Sequence, residues 1–475
     1  MDSKDWLVPR CSSPGERNTM KFQWKLAAAI SAVAFANPTG RADEPAVLAI
    51  TNVTIIKPAL NSSQAGVTVV LRDGRIAAIG KSTRVPAGSQ VIEGRGKYLI
   101  PGLADAHVHP YPAPTTGDVK ETKDLVASFL PWGITTAFSP AMPLQKFNEL
   151  RPELLTENAK YPKFYSTAVA YRVDGPGPGN AIGKPDSVEK ARESVRYFHS
   201  HHVNGIKLIY DDASYASSVP LRVMKREIME ALIDEAHRLG IKAYAHAPVL
   251  KLAKETLRAG ADGLVHGIIS DPVDHEFLEL MKKNRAVYIS TSSLFEGLKD
   301  FPAFLRRHLE LYPNFPGAAR VNEFLRNPIP LQAPGFNFDR PDAVARQLPV
   351  LRANLRKIYD SGVTVVTGSD SAGGLTSLIE IILHVESGLT PMQALRAATI
   401  NAQKMVGRDK DAGTIQPGKV ADLVLLDGNP LADIRNVAKL NRVFRAGVAL
   451  SRADQSPVSS KAKAKFDPNP EGMGR

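Results

Sequence analysis

The chain has 475 residues, 43% hydrophobic and 23% charged, a balance that excludes disordered, collagen-like and disulfide-scaffold classes. Its formal charge of +12 invites a polyanion or a membrane surface, yet residues 1–42 carry +3 and residues 452–475 carry +2. The remainder is scattered with no basic run interleaved with aromatics, which argues against nucleic acid and leaves the charge as a solubility feature.

In chain order, Met20 opens Met-Lys-Phe-Gln-Trp-Lys, a basic start ahead of the small apolar run Leu26 to Ala36. Ala34 and Ala36 fit an A-x-A cleavage site and Ala42 offers a second. This predicts an N-terminal extension and signal peptide over 1–42, a start at Met1 or Met20, and a periplasmic or secreted protein. The apolar run is too short for a membrane span, which needs about 20 residues. The single cysteine, Cys11, precedes Met20, so an exported chain has no thiol nucleophile, disulfide or cysteine-bound metal.

Residues 43–100 alternate β-rich runs with turn signals, among them Val47–Ile50, Val53–Ile56, Val67–Leu71 and Ile76–Ile79, with Asp73-Gly74 as a hairpin turn. Residues 412–451 repeat that character in Gly413–Ile415, Ala421–Leu426 and Val443–Val448. The two flanks predict one small β-sandwich built from both chain ends, followed by a basic tail at 452–475.

Between them, residues 101–411 repeat an amphipathic helix, a turn and an apolar strand ending in a polar residue. The clearest helix is Met224–Leu239, stopped by Gly240. Strands are predicted at Gly102–Ala106, Ile134–Phe138, Phe164–Ala170, Ile206–Tyr210, Ala243–His246, Gly263–His266, Ala286–Thr291 and Thr364–Thr367. Eight strands alternating with helices is the count of an α/β fold of the (β/α)8 TIM-barrel type. A doubly wound sheet stays open, because one sequence does not show closure.

Several of these strands end in metal-binding side chains. His107 and His109 close the first strand two residues apart, so an extended chain puts both imidazoles on one face. His246 ends the fifth strand, His266 the sixth, and Asp370 follows the eighth. In a closed barrel all five meet at the C-terminal mouth, where barrel active sites are built.

The ordered motifs Pro101-Gly-Leu-Ala-Asp-Ala-His-Val-His, Tyr244-Ala-His, Ala259-Gly-Ala-Asp-Gly-Leu-Val-His-Gly and Gly368-Ser-Asp carry a family resemblance. So do Gly388-Leu-Thr-Pro-Met-Gln-Ala-Leu, Gly413-Thr-Ile-Gln-Pro-Gly-Lys-Val-Ala-Asp-Leu-Val and Gly428-Asn-Pro-Leu-Ala-Asp-Ile. Over about residues 47–451 the chain resembles the amidohydrolase superfamily of metal-dependent hydrolases, nearest its imidazolonepropionase- and prolidase-like branch. The resemblance implies a site with His107, His109 and Asp370 on one ion, His246 and His266 on another, and Lys207 between them. Lys207 lies at the end of the fourth strand among Ile206, Leu208 and Ile209, where a free ammonium is costly and a neutral or carboxylated amine is favoured. Zinc is the expected cofactor, two ions bridged by carboxylated Lys207 or a single one. By the same resemblance Asp370 is catalytic, taking the water proton and returning it to a leaving nitrogen.

The function implied is hydrolysis of a C–N bond in a dipeptide, N-acyl amino acid or carbamate-like amide. An ester, lactone or phosphoester fits the same site, and a retired barrel that only binds is the third alternative. Tyr171, Arg172 and Tyr210, at or just beyond strand ends, are candidate substrate contacts. His199, His201 and His202 precede the fourth strand and read as a solvated helix end; Asp211-Asp212 reads as a solvated loop, with a second metal site as the alternative. Gly175–Lys184 lacks the spacing of a phosphate loop or dinucleotide fingerprint. The stretch 293–340 holds seven of the 17 phenylalanines and six prolines. It is too long for an ordinary loop and predicts a lid insertion, with an oligomer contact or membrane-surface element as alternatives. The expected partner is a small molecule, not nucleic acid or a membrane; a homo-oligomer stays open.

Overall fold

The structure, a computed structural model, describes residues 47–110, 119–167, 170–172, 184–309 and 338–450. The predicted signal peptide, the tail, the stretch 175–183 and the greater part of the 293–340 insertion lie outside the described residues.

The first five strands are β1 (Leu48–Lys57), β2 (Ser62–Arg72), β3 (Arg75–Gly80), β4 (Gln90–Glu93) and β5 (Tyr98–Pro101). Asp73 and Gly74 turn β2 into β3 with φ of 52° and 74°, the left-handed pair that an Asp-Gly hairpin supplies. The runs Val47–Ile50 and Val53–Ile56 form one strand, interrupted by register shifts on either side of Val53.

Nine parallel-paired strands follow: β6 (Leu103–Asp105), β7 (Ile134–Ser139), β8 (Lys163–Ser166), β9 (Ala170–Tyr171), β10 (Ile206–Ile209), β11 (Ala243–His246), β12 (Gly263–Val265), β13 (Val287–Ile289) and β14 (Thr364–Val366). All eight predicted positions hold a strand, the third being represented by both β8 and β9. Hydrogen bonding gives the orders β6-β7-β8 and β9-β10-β11-β12-β13-β14. The first and last of these strands also meet beyond their ends. Ala106 N donates to Thr367 O at 2.9 Å, Asp370 N to His107 O at 2.7 Å and His109 N to Ser371 O at 2.9 Å.

Helices separate the strands. The helix predicted at Met224–Leu239 spans Arg226–Arg238, and Gly240 ends it at φ 73°, a left-handed position that glycine takes without strain. Ala104, Ala106, Phe138, Tyr244, Val265, Val287, Ile289 and Val366 form one buried cluster with Ala402 and Met405 of the helix Ala402–Met405. Their alternation along the strands defines one face of the parallel array, while the intervening residues pack on helices in a larger core.

The chain then returns to the first sheet through β15 (Leu423–Leu426), β16 (Leu440–Arg445) and β17 (Val448–Leu450). β15 pairs antiparallel with β5, Leu423 opposite Pro101 and Leu426 opposite Tyr98. Both chain flanks therefore share one eight-stranded sheet, in the path order β17-β16-β15-β5-β1-β2-β3 with β4 on β1. One face encloses Ile50, Val69, Leu99, Leu425 and Phe444; Ile100, Val424 and Leu426 on the other face join the core of the parallel array. Gly413–Ile415 is not a strand: Ile415 is buried in the sheet's own core without a ladder partner. The predicted strand at Val443–Val448 is two strands turned at Ala446 and Gly447.

Candidate metal centre

Five of the six predicted metal ligands follow from the strand ends. His107 and His109 both place Nε2 on the same carboxylate oxygen, Asp370 Oδ1, at 3.1 and 2.8 Å. Their Nε2 atoms lie 3.3 Å apart, and Lys207 Nζ is 3.3 Å from His107 Nε2. The His266 ring stands 4.8 Å from His107 and 4.1 Å from His246, centroid to centroid. One donor atom each from His107, His266 and Asp370 lies within 4.8 Å of the others. Imidazole nitrogens and a carboxylate turned toward one another, with few protons to share, form a donor set that suits a divalent cation.

Strict alternation along β12 would send His266 away from Gly263 and Val265. His266 instead takes φ 80°, and Thr291 and Asp370 take 41° and 54°. Left-handed backbone costs a residue other than glycine roughly 1–2 kcal/mol, and such conformations cluster at functional sites. Here the left-handed turn brings the His266 ring back among the other histidines.

Burial dominates the electrostatics. It lowers His107 to about 3, lowers His246, and drives His266 well below the usual histidine range, with the neighbouring histidines adding to it. All three are neutral at pH 7 and free of a competing proton. Burial also pulls Lys207 down to about 8, so a sizeable fraction of its amine is neutral near physiological pH. Burial pushes the Asp370 carboxyl upward, but His107 and His109 outweigh it and hold Asp370 well below the carboxylate range. Among the four histidines only His109 has appreciable side-chain exposure, 26%, and Asp370 keeps 15%; this is the side open to solvent.

Residues that the sequence did not assign to the site hold this cluster in place. Asp105, pushed up to about 6 by burial, accepts the backbone N–H groups of His107 and Ser369 and the hydroxyl of Ser377. Thr291 Oγ1 meets His266 Nδ1 at 2.9 Å. Glu380 accepts Ser290 Oγ and the backbone N–H groups of Ser292 and Ser293 at 2.7–2.8 Å, fixing the turn that carries Thr291. Asp211 is not a solvated loop residue: it is buried and bonded to His246 Nε2 at 3.0 Å. Asp212 caps Ser214 N instead.

Of the three candidate substrate contacts, two turn away from the cluster. Lys207 faces the histidines, so β-alternation sends Leu208 and Tyr210 outward, along with Tyr171, which pairs with Leu208. Tyr171 bonds Ser194 and packs on Phe198 of the helix Val188–Ser200; Tyr210 donates to Glu255 Oε2 at 2.7 Å on the helix Leu250–Arg258. Arg172 is buried and directly follows β9, whose Ala170 pairs with Lys207. His199, His201 and His202 lie at the C-terminal end of Val188–Ser200, with His201 Nδ1 on Tyr197 O. Within the insertion, Phe295 is buried with its ring 5.8 Å from Tyr215 and 6.5 Å from His266.

Comparison with known proteins agrees with this arrangement. Residues 222–450 match the model of the amidohydrolase family. The ochratoxinase of Aspergillus niger is 27% identical over 286 residues, 56% of this chain and 50% of that protein. The chain thus spans about half the length of the curated relative it matches there. An imidazolonepropionase of Geobacillus sp. (strain WCH70) is 40% identical over 80 residues, 16% of this chain and 19% of that protein. The solved structure of a Xaa-Pro dipeptidase with bound methionine in its active site superposes with a TM-score of 0.66 at 20% identity, covering 86% of this chain and all of the other. With the motif order, the parallel array and the convergent histidines, these matches make the chain similar to the amidohydrolase superfamily.

Proposed function

We propose that this chain is a metal-dependent hydrolase of carbon–nitrogen bonds acting on a small amide, such as a dipeptide, an N-acyl amino acid or a carbamate-like compound. The observation that carries this reading is the meeting of His107 Nε2, His109 Nε2 and Asp370 Oδ1 within 3.3 Å of one another. Lys207 and His266 stand beside His107. The hydrogen bonds joining the ends of β6 and β14 support a closed (β/α)8 barrel, residues 101–411, and the sheet shared by the two chain flanks supports a small β domain from residues 43–100 and 412–451.

His107, His109, His246, His266 and Asp370 would hold the cation, with Lys207, carboxylated, between two of them in a binuclear form. A divalent ion bound there, zinc by its donor chemistry, would polarise a carbonyl and lower the pKa of bound water to about 7. Asp370, ionised and partly exposed, accepts a proton from the attacking water and returns it to the leaving nitrogen. Buried neutral histidines keep the surrounding field free of positive charge that would oppose a cation. Phe295 beside His266 suits a substrate with an apolar group next to the scissile bond. Relatives include an ochratoxinase and a Xaa-Pro dipeptidase, which favours amide over ester. We further propose export through the signal sequence in 1–42, a lid role for 293–340 and a small-molecule partner, with no nucleic acid or membrane surface involved.

The test is turnover of a panel of N-acyl amino acids, Xaa-Pro dipeptides, carbamates and matched esters by the zinc-loaded protein. Amides exceeding esters, with Asp370→Asn at least about 100-fold slower and normally folded, is the expected result. Unchanged turnover in Asp370→Asn overturns the mechanism.

A further inference from the structure

Asp211 lies two residues beyond the end of β10 and its side chain is fully buried. Its Oδ1 accepts Ala213 N at 3.1 Å, and its Oδ2 faces His246 Nε2 at 3.0 Å and the Tyr215 hydroxyl at 3.4 Å. The segment that carries it is clamped from both sides. Leu221 N closes it onto Asp212 O at 2.7 Å, and Arg340 N reaches Ala216 O at 3.1 Å. Ser218 N donates to Asp339 Oδ1 at 2.8 Å, and Gln347 Nε2 of the helix Pro341–Asp360 donates to Tyr215 O at 3.1 Å. Asp211 therefore meets His246 from a loop with little freedom to move.

A carboxylate only accepts, and a neutral imidazole carries a single N–H. The contact at 3.0 Å thus places the proton of His246 on Nε2 and its lone pair on Nδ1. His266 differs: its partner, the Thr291 hydroxyl, both donates and accepts, so that bond fixes no tautomer. Asp370 differs too, since its Oδ1 sits between two proposed ligands, whereas Asp211 gives its oxygens to the loop and to one ring.

We propose that Asp211 is the positioning residue of His246: it holds the ring in the Nε2–H tautomer and presents Nδ1 as the donor to a cation. The assignment rests on the metal-centre reading of His246. Outer carboxylates of this kind change metal affinity by about 10–100-fold in other sites, and they do so by setting ring orientation and basicity.

The experiment uses the full chain labelled with 15N in its histidine rings and freed of metal by chelation. Long-range 1H–15N spectra report the tautomer of His246, assigned with His246→Gln, and Zn2+ alone is titrated to give a Kd. We expect Nε2–H for His246 in the parent chain and in Asp211→Asn, which keeps an acceptor oxygen. In Asp211→Leu we expect a mixed tautomer and a Kd about 10–100-fold weaker, with Asp211→Asn between the two. An Nε2–H signal that persists in Asp211→Leu, or a Kd within twofold of the parent, overturns the proposal. If Asp211→Leu fails to fold, Asp211→Asn decides alone: a Kd at least threefold weaker supports positioning by the carboxylate, and an unchanged Kd overturns it. A parent chain that shows the Nε2–H tautomer but binds no Zn2+ overturns the metal reading of His246 while upholding the bond that fixes its ring.

Discussion

Asp105 accepts the backbone N–H of Ser369 at 3.1 Å across 264 positions of chain, while the same oxygen accepts the N–H of His107 at 2.9 Å. One buried carboxylate therefore ties the segment bearing His107 and His109 to the segment bearing Asp370. Ser377 Oγ completes it at 2.5 Å. Asp105→Ala leaves three buried donors unmet, and we expect a loss of about 3–5 kcal/mol in urea unfolding with reduced zinc content by elemental analysis. Asp105→Asn keeps an acceptor and should lose roughly half as much; equal losses in the two variants would show that only shape matters there.

Gly368 lies against the same segment. A Cβ at that position would stand 2.8 Å from His107 Cβ and 3.1 Å from His107 N, and would also press on the Ile289 side chain. Gly368→Ala forces His107 to move. The expected cost is about 1–3 kcal/mol of stability, with a larger proportional loss in zinc affinity than in melting temperature. A variant with parental affinity would mean the backbone gives way elsewhere.

Much of the site was legible because it obeys strand geometry. Two histidines spaced by one residue share a face, and polar residues closing apolar strands stand out against their surroundings. The same alternation could have excluded Tyr210, which has the parity of Leu208 and not of Lys207, whereas Tyr171 is excluded only by the register that pairs it with Leu208. Asp211 was not legible: an Asp-Asp pair in a polar stretch looks solvated, and only the clamp from Asp339, Arg340 and Gln347, over 100 positions later, buries it. His266 breaks alternation through its left-handed φ, a conformation with no marker in a histidine codon.

Glu380 gives a pH dependence with a definite sign. Burial pushes its carboxyl up, yet His384, the Ser290 hydroxyl and the Ser293 N–H outweigh that and hold it below the ordinary value of 4.5. A carboxylate lowered in the folded state contributes stability above the unfolded pKa and loses it as pH falls through the folded one. The parent chain should therefore lose this contribution below about pH 4.5, while Glu380→Gln lacks it throughout. Denaturant unfolding at pH 7 and pH 4 should find the two curves converging in acid; a constant gap would refute the assignment.

Arg445, at the end of β16, is fully buried. Its Nη1 meets Glu157 at 2.8 Å and Asp422 at 3.0 Å, and its Nε donates to Tyr161 O. Arg445→Ala strands the buried Asp422 carboxylate, and we expect about 3–5 kcal/mol of destabilisation. Adding Asp422→Asn should recover part of that loss, so calorimetry of the single and double variants reads the coupling directly. Strict additivity would show that the pair acts independently.

The pairing of Tyr98–Pro101 with Leu423–Leu426 has a consequence for synthesis. During translation β5 is finished more than 300 residues before the strand that covers its edge, and all six proposed ligands emerge in the interval. The nascent chain can gather its histidines while an apolar strand edge still waits for a partner. Such edges recruit other chains. Premature termination between Asp370 and Leu423 should thus yield aggregates rather than a smaller working enzyme.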